Sequence, residues 1–428
     1  MENYQLSKYN IFNKMYKEYL TPDHIRYQLA NLRQLTFEVT DACNLRCKYC
    51  AYGELYNDYD RRENKKIDLP ATLQLIDYLA ALWNSEQNMS TNRNVYISFY
   101  GGEPLLNMPF IESIVDYIEN LPCPHRSFTF SMTTNALLLD RYMDYLVTHN
   151  FDLLISLDGD EYNTSYRVDH ADKPAFSHIL KNVDILREKH PDYFEQNVNF
   201  NAVLHNRNTV AEVYNFFKTR YNKIPSIGEL NNMGIRADKI ELFQKTYRNS
   251  YESLHQSENY EAIEKDMFTK SGTYQSVTTF LHRYSGFVYY DYVDLLLGQP
   301  PRAIPTGTCF PFWKRMFVTV NGKIMPCEKI GQQFALGRIS ESGVELDLQA
   351  IADKYNAYYA KLDSQCSQCR NANACIQCVF NLPHLDTCPV CHGFMNEQAF
   401  TAYQAKQIDF LRKHPEEYYR IMDEIIVE

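Results

Sequence analysis

The strongest limit on the fold of this chain is a regular alternation of short apolar runs with helical stripes along its first half. Residues 35–39, 95–100, 128–132, 153–157 and 198–204 are apolar or β-branched runs of strand length, and Val198, Phe200, Ala202 and Leu204 alternate with period two. Between them apolar residues return at helical spacing. Leu69, Leu73, Ile76, Ala80 and Trp83 follow an Asp68 N-cap with Pro70 in the first turn. Ile111, Ile114, Val115 and Ile118 make a second stripe, residues 140–149 a third, and Phe176, Ile179, Leu180 and Val183 a fourth. A helix over 210–221 and a strand over 227–235 complete six units. Parallel neighbours need crossover helices, so this order predicts βαβ units around one parallel sheet, partly closed into a barrel. Functional loops of such a sheet lie at the carboxyl ends of its strands.

The first of those loops carries Cys43, Cys47 and Cys50. Three thiolates so close in sequence can hold three irons of a four-iron cube, and the fourth iron is left for a ligand that is not protein. A structural zinc loop is the alternative. It needs a fourth ligand, and Cys123, His24 and His125 all lie outside zinc-module spacing. After the second strand, Gly101-Gly102-Glu103-Pro104 offers backbone that a ligand can approach and a carboxylate that can pair with an ammonium; the plain alternative is a tight turn with a solvated Glu. Asn135 follows the third strand as a polar contact or a turn former. Ser156-Leu157-Asp158-Gly159 ends the fourth, with Arg167 eight residues beyond Gly159.

A second cysteine block begins at Cys309 and continues with Cys327, Cys366, Cys369, Cys375, Cys378, Cys388 and Cys391. Residues 315–326 read as a β-hairpin with an Asn321-Gly322 turn, which would bring Cys309 and Cys327 together. Eight thiolates suffice for two further four-iron clusters, while paired C-x2-C knuckles also build zinc ribbons. Cys123, between two prolines, reads as a small packing residue.

These motifs resemble the radical SAM superfamily, whose C-x3-C-x2-C loop with an aromatic before the last cysteine is matched by Cys43, Cys47, Tyr49 and Cys50. The resemblance implies a partial (β/α)6 TIM-like barrel and S-adenosylmethionine bound to the open iron. One electron from the cluster would cleave the cofactor to a 5′-deoxyadenosyl radical. It also implies that Gly101, Gly102 and Glu103 meet the methionine amino group. Ser156, Asp158 and Arg167 would belong to the segment holding the carboxylate and ribose, although the family often has Pro and His-Asp where this chain reads residues 160–165 differently. The later cysteines resemble the SPASM (twitch-type) extension of peptide maturases, with two residues instead of three between Cys375 and Cys378. By that analogy Cys366, Cys369 and Cys375 share one auxiliary cluster and Cys309, Cys327 and Cys378 the other, with Cys388 and Cys391 divided between them. Three 4Fe-4S clusters are therefore expected.

The expected organisation is an N-terminal extension (1–31), the barrel (32–235), a helical connector (236–304) ending at Gly298-Gln299-Pro300-Pro301, the auxiliary iron-sulfur domain (305–395) and a C-terminal helix (396–428) broken at His414-Pro415. The extension is too short for a winged-helix leader-binding module. With 43 basic and 53 acidic side chains, a net charge of −10, the chain has no electrostatic footprint for nucleic acid. It lacks an export signal or a spanning apolar stretch, so a cytoplasmic enzyme is expected, and its 12 cysteines then point to metal ligation rather than disulfides.

The expected partners are a ribosomal precursor peptide or protein as substrate and a small electron donor of ferredoxin or flavodoxin type. The continuation Cys50-Ala51-Tyr52-Gly53-Glu54-Leu55-Tyr56 is similar to Bacteroidales-type maturases of precursors with a Gly-Gly leader. Anaerobic sulfatase maturases are the rival among enzymes. They place a catalytic Asp after the SPASM cysteine corresponding to Cys327, where this chain has Glu328, the candidate general base. A non-catalytic electron carrier is the rival of another class. Its clusters would need no amino-acid-binding loop like Gly101-Gly102-Glu103.

Overall fold

The computed structural model describes residues 20–88, 93–284 and 307–425, so residues 1–19 and the Gly298-Pro301 linker lie outside the described residues. Contacts divide the chain into two units. One comprises residues 26–267 and 310–347, the other residues 1–25, 268–309 and 348–428.

The larger unit is built on β1 (Gln34–Glu38), β2 (Arg93–Tyr100), β3 (Arg126–Thr134), β4 (Asp152–Ser156), β5 (Val198–Leu204) and β6 (Ser226–Glu229). All six are parallel to their neighbours and lie in chain order. The crossovers include α1 (Leu69–Trp83), α2 (Met108–Glu119), α3 (Leu139–Thr148), α4 (Phe176–Lys189) and α5 (Val210–Tyr221). Asp68 caps α1 by accepting a hydrogen bond from the Ala71 N–H at 2.7 Å, with Pro70 in the first turn. A capping box between Thr209 and Glu212 starts α5.

Strand alternation separates two faces. Leu35, Phe37, Ile97 and Phe99 are buried, and Phe37 packs edge-on against Phe110 of α2. The opposite face carries Thr36, Glu38, Ser98, Tyr100 and Ser131, and it is polar. The Ser98 and Ser131 hydroxyls hydrogen-bond at 2.6 Å. The sixth strand is shorter than the 227–235 expected from sequence. Pairing with β5 stops at Glu229, and Gly234 at φ +66 turns the chain so that Ile235 bridges to Tyr56 instead.

The sheet continues on its other edge. β7 (Met316–Val318) pairs in parallel with β1, and β8 (Lys323–Met325), β9 (Gly337–Ser340) and β10 (Gly343–Glu345) follow antiparallel. The hairpin read at 315–326 is therefore present, with Gly322 at φ +78 in its turn.

In the smaller unit, α6 (Gly272–Tyr284), α8 (Glu397–Lys413) and α9 (Pro415–Glu424) share a core of Tyr274, Val277, Leu281, Phe410 and Ile421. The break between α8 and α9 falls at His414, as the sequence indicates. The long helix α7 (Leu348–Cys366) buries Tyr355, Tyr359 and Leu362, and Tyr355 meets Phe380 edge-on at 5.5 Å. No described helix is long and apolar enough to cross a membrane.

Candidate functional site

The cysteine loop leaves the carboxyl end of β1 and is gripped by the loops that follow β2, β3 and β4. Gly101 and Gly102 lie against its root. The Gly102 N–H donates to the Thr40 carbonyl and the Glu103 N–H to the Ala42 carbonyl, each at 2.9 Å. A Cβ on Gly102 would stand 2.0 Å from the Ala42 oxygen, and one on Gly101, at φ +140, 2.3 Å from the Thr40 oxygen. Both positions exclude side chains because backbone meets backbone there. From the β4 side, the Arg46 N–H donates to Val168 O at 2.7 Å and the Lys48 N–H to Tyr166 O at 3.1 Å. Arg46 and Lys48 also share Asp172 as an ion-pair partner.

Glu103 is fully buried, and its carboxylate accepts from the Thr134 hydroxyl (2.7 Å), the Asn135 N–H (2.8 Å) and the Leu105 N–H (3.2 Å). Burial pushes its pKa up to about 7 despite those three donors. Its carboxylate thus fastens the end of β3 rather than standing free in the loop. Asn135 turns its amide toward the cysteines. Its Nδ2 lies 2.7 Å from Asn44 Oδ1 and 3.8 Å from the Cys43 sulfur.

Arg167 is likewise occupied. It forks onto Asp158 through Nε (3.0 Å) and Nη2 (2.8 Å), and both residues are buried. Asp158 also accepts from the Val203 N–H at 2.9 Å and from the Tyr49 hydroxyl. Burial alone would raise its pKa, but the Arg167 guanidinium and the side chains of His205 and Tyr49 hold it down at about 2. Tyr49 is therefore fixed from beneath, with its ring stacked on His205 at 5.3 Å. Ser156 ends β4, half-buried.

Sequence reasoning passed over three residues here. His205 is buried against Tyr49 and Tyr166. His170 brings Nε2 within 2.8 Å of the Cys43 carbonyl from 127 positions away. Arg62 reaches from the segment after the loop to Glu38 and Asp41 O. No spacing rule marks residues that meet across such separations.

Cys43, Cys47 and Cys50 are free thiols. Burial pushes Cys43 up to about 11 and Cys47 to about 12. Among the described residues no three His, Cys, Asp or Glu side chains are gathered into a ready-made metal site. The donor set itself suits an iron-sulfur cluster: three thiols on one loop, with close-packed backbone beside them.

The later cysteines divide between the units. Cys327 follows β8 in the larger one. Burial first, then the neighbouring Glu328, pushes its thiol up to about 12. Glu328 pairs with Arg315 and lies 3.5 Å from the Cys327 sulfur. Cys309, Cys366, Cys369, Cys375, Cys378, Cys388 and Cys391 are in the smaller unit. There burial raises both Cys375 and Cys378, with Cys391 and Cys369 adding to the first and Cys309 to the second. Gly307 packs so tightly on the Cys375 backbone that a Cβ would lie 1.8 Å from its carbonyl oxygen.

Comparison with known proteins agrees with this geometry. Residues 37–219 match the radical SAM superfamily and residues 309–378 the SPASM iron-sulfur cluster-binding domain. The cysteine-type anaerobic sulfatase-maturating enzyme of Clostridium novyi is 25% identical over 364 residues, 81% of this chain and 86% of that protein. The radical SAM cyclopropyl synthase TigE of Paramaledivibacter caminithermalis is 25% identical over 220 residues, 50% of this chain and 43% of that protein. In fold, the solved structure of native anSMEcpe with bound AdoMet and Cp18Cys peptide superposes with a TM-score of 0.55 at 16% identity, covering 92% of this chain and 98% of that one. The chain therefore carries a radical SAM domain over residues 37–219 and a SPASM iron-sulfur cluster-binding domain over residues 309–378.

Proposed function

We propose that this radical SAM/SPASM enzyme acts on a ribosomal precursor peptide, removing hydrogen from a side chain to install a crosslink or an oxidation. The observation that carries the reading is the gripped cysteine loop, with three free thiols and side-chain-free backbone at Gly101 and Gly102 directly beside them. Cys43, Cys47 and Cys50 would hold a four-iron cluster, which with bound S-adenosylmethionine would supply one-electron cleavage of the sulfonium to a 5′-deoxyadenosyl radical.

The chain's own residues do the positioning. Gly101 and Gly102 admit the cofactor's amino-acid end, and Glu103 keeps β3 and Asn135 in place beside it. Tyr49, held by Asp158 and Arg167, offers a fixed aromatic face, and Ser156 a hydroxyl at the end of β4. Cys309, Cys327, Cys366, Cys369, Cys375, Cys378, Cys388 and Cys391 would hold two auxiliary clusters. A small ferredoxin- or flavodoxin-type protein would deliver electrons. Glu328 would take the proton released on substrate oxidation, with Arg315 fixing its carboxylate.

A second reading, formylglycine formation on a sulfatase, is favoured by the likeness to the Clostridium novyi enzyme over most of both chains. One experiment separates the two readings. The loaded enzyme is offered a small precursor peptide with a Gly-Gly leader and a sulfatase-derived Cys/Ser peptide, and the products are weighed by mass spectrometry. We expect modification of the precursor alone. Glu328→Gln should still cleave S-adenosylmethionine but lose modified product by about 10² to 10⁴-fold. Conversion of the sulfatase peptide to formylglycine would replace the first reading by the second, and undiminished product from the variant would remove Glu328 as the base.

A further inference from the structure

One cation at the barrel mouth has a buried donor that the protein does not use. Arg62 follows the cysteine loop, in a stretch that runs back along the end of β1. Thr40 bridges to Lys66, and the Asp41 N–H donates to Lys65 O. Its neighbours Arg61, Glu63 and Lys65 line an open outer groove together with Asn321, Lys323 and Arg338. Arg62 is not among them, and its side chain is only 19% exposed.

The guanidinium is anchored on three sides. Nη1 lies 3.3 Å from Glu38 Oε1, Nε donates to Asp41 O at 2.9 Å, and the group sits over the Tyr52 ring at 4.3 Å. Glu38 is itself fixed by the Val320 N–H at 3.0 Å. The remaining nitrogen, Nη2, is buried and has no hydrogen-bond partner. A buried charged donor left unpaired carries its whole desolvation cost, so an acceptor is expected to complete it.

The location says where that acceptor comes from. Phe37 faces α2, so Glu38 belongs to the opposite, polar face, beside its register partner Tyr100. Two contacts of Arg62 bracket the cysteine loop: Asp41 lies two residues before Cys43, and Tyr52 two residues after Cys50. Arg62 thus lies among the groups that would surround the reacting centre. Its three anchors fix the guanidinium plane and leave Nη2 as the charged donor for an incoming carboxylate.

We propose that Arg62 is a carboxylate-binding residue of the reaction chamber, its Nη2 completed by a carboxylate that arrives with a reactant. That carboxylate is either an acidic group of the peptide or the α-carboxylate of the cofactor. The proposal rests on the peptide-modifying reading above. Two further guanidinia near the loop are already engaged, Arg46 by Asp172 and Arg167 by Asp158.

The test measures binding by the full-length, cluster-loaded enzyme, so it needs no turnover. Equilibrium dialysis gives the Kd of S-adenosylmethionine and of its α-carboxamide analogue. Fluorescence anisotropy gives the Kd of a small precursor peptide with a Gly-Gly leader and of the same peptide with each Asp or Glu changed to its amide. Wild type, Arg62→Gln and Arg62→Lys are compared.

We expect Arg62→Gln to weaken one ligand by about 10- to 100-fold, the range for a hydrogen bond to a charged group, and Arg62→Lys to weaken it less. Neutralising the partner carboxylate in that ligand should cost wild type the same factor and cost Arg62→Gln nothing more. A coupled loss in the cofactor series assigns the α-carboxylate, and one in the peptide series assigns a peptide acid. Losses that add instead of coupling, or affinities unchanged within about twofold in both series, would overturn the proposal and leave Nη2 to a water molecule. Should Arg62→Gln fail to fold, Arg62→Lys against the neutralised ligands reads a coupling of the same sign and smaller size, and its absence would overturn the proposal. Failure of the peptide-modifying reading would show separately, as a wild-type enzyme that leaves the precursor unmodified.

Discussion

At the scale of the residue, local spacing and distant contact carry different information. The three cysteines are legible because ligands on one loop must be near in sequence, and the glycine pair because backbone cannot approach backbone past a Cβ. The sequence could not show that Glu103 and Arg167 are already engaged, since their partners Thr134, Asn135 and Asp158 are set by the packing of neighbouring strands. Glu103 makes a measurable difference. Its folded-state pKa of about 7 lies above the ordinary 4.5, so the folded chain binds the extra proton between those values. Stability from this group is therefore lost as pH rises from about 4.5 through 7, by on the order of 3 kcal/mol. Glu103→Gln cannot titrate, so urea unfolding should show its stability relative to wild type improving between pH 5 and pH 8. A difference independent of pH would mean that Glu103 is not held as described.

At the scale of the element, termini with side-chain caps were read closely and weakly paired strands were not. Asp68 and Pro70 mark the start of α1 because a cap is a local hydrogen bond, here 2.7 Å to the Ala71 N–H. Asp68→Ala should cost about 1 kcal/mol and Asp68→Asn much less, read as a shift of the urea midpoint at unchanged slope. Equal midpoints for the two variants would contradict that cap. Apolar residues at 227, 230 and 235 suggest a strand longer than β6, whereas only the pairing with β5 decides where that strand ends. The helix α7 gave no clear signal in the sequence reading. Its buried face is made largely of Tyr355, Tyr358 and Tyr359, aromatic residues with no strong helical preference of their own.

For the whole molecule, the six-unit alternation fixed the parallel order β1 to β6. The extension of that sheet through β7 to β10 was not visible. The parallel register of Leu35 on Met316 and Phe37 on Val318 is made by backbone hydrogen bonds, which carry no sequence signature over so long a separation. This pairing groups residues 310–347 with the barrel, and with them Cys327, Glu328 and Arg315. The account's central claim is that Cys43, Cys47 and Cys50 together make a site for reductive cleavage of S-adenosylmethionine. The most direct measurement is 5′-deoxyadenosine released by the anaerobically reconstituted chain with S-adenosylmethionine and a strong reductant, compared with Cys43→Ala, Cys47→Ala and Cys50→Ala prepared in the same way. Release by the wild type and loss in all three variants is predicted; undiminished release from any one of them, or none from the wild type with its clusters in place, would contradict it.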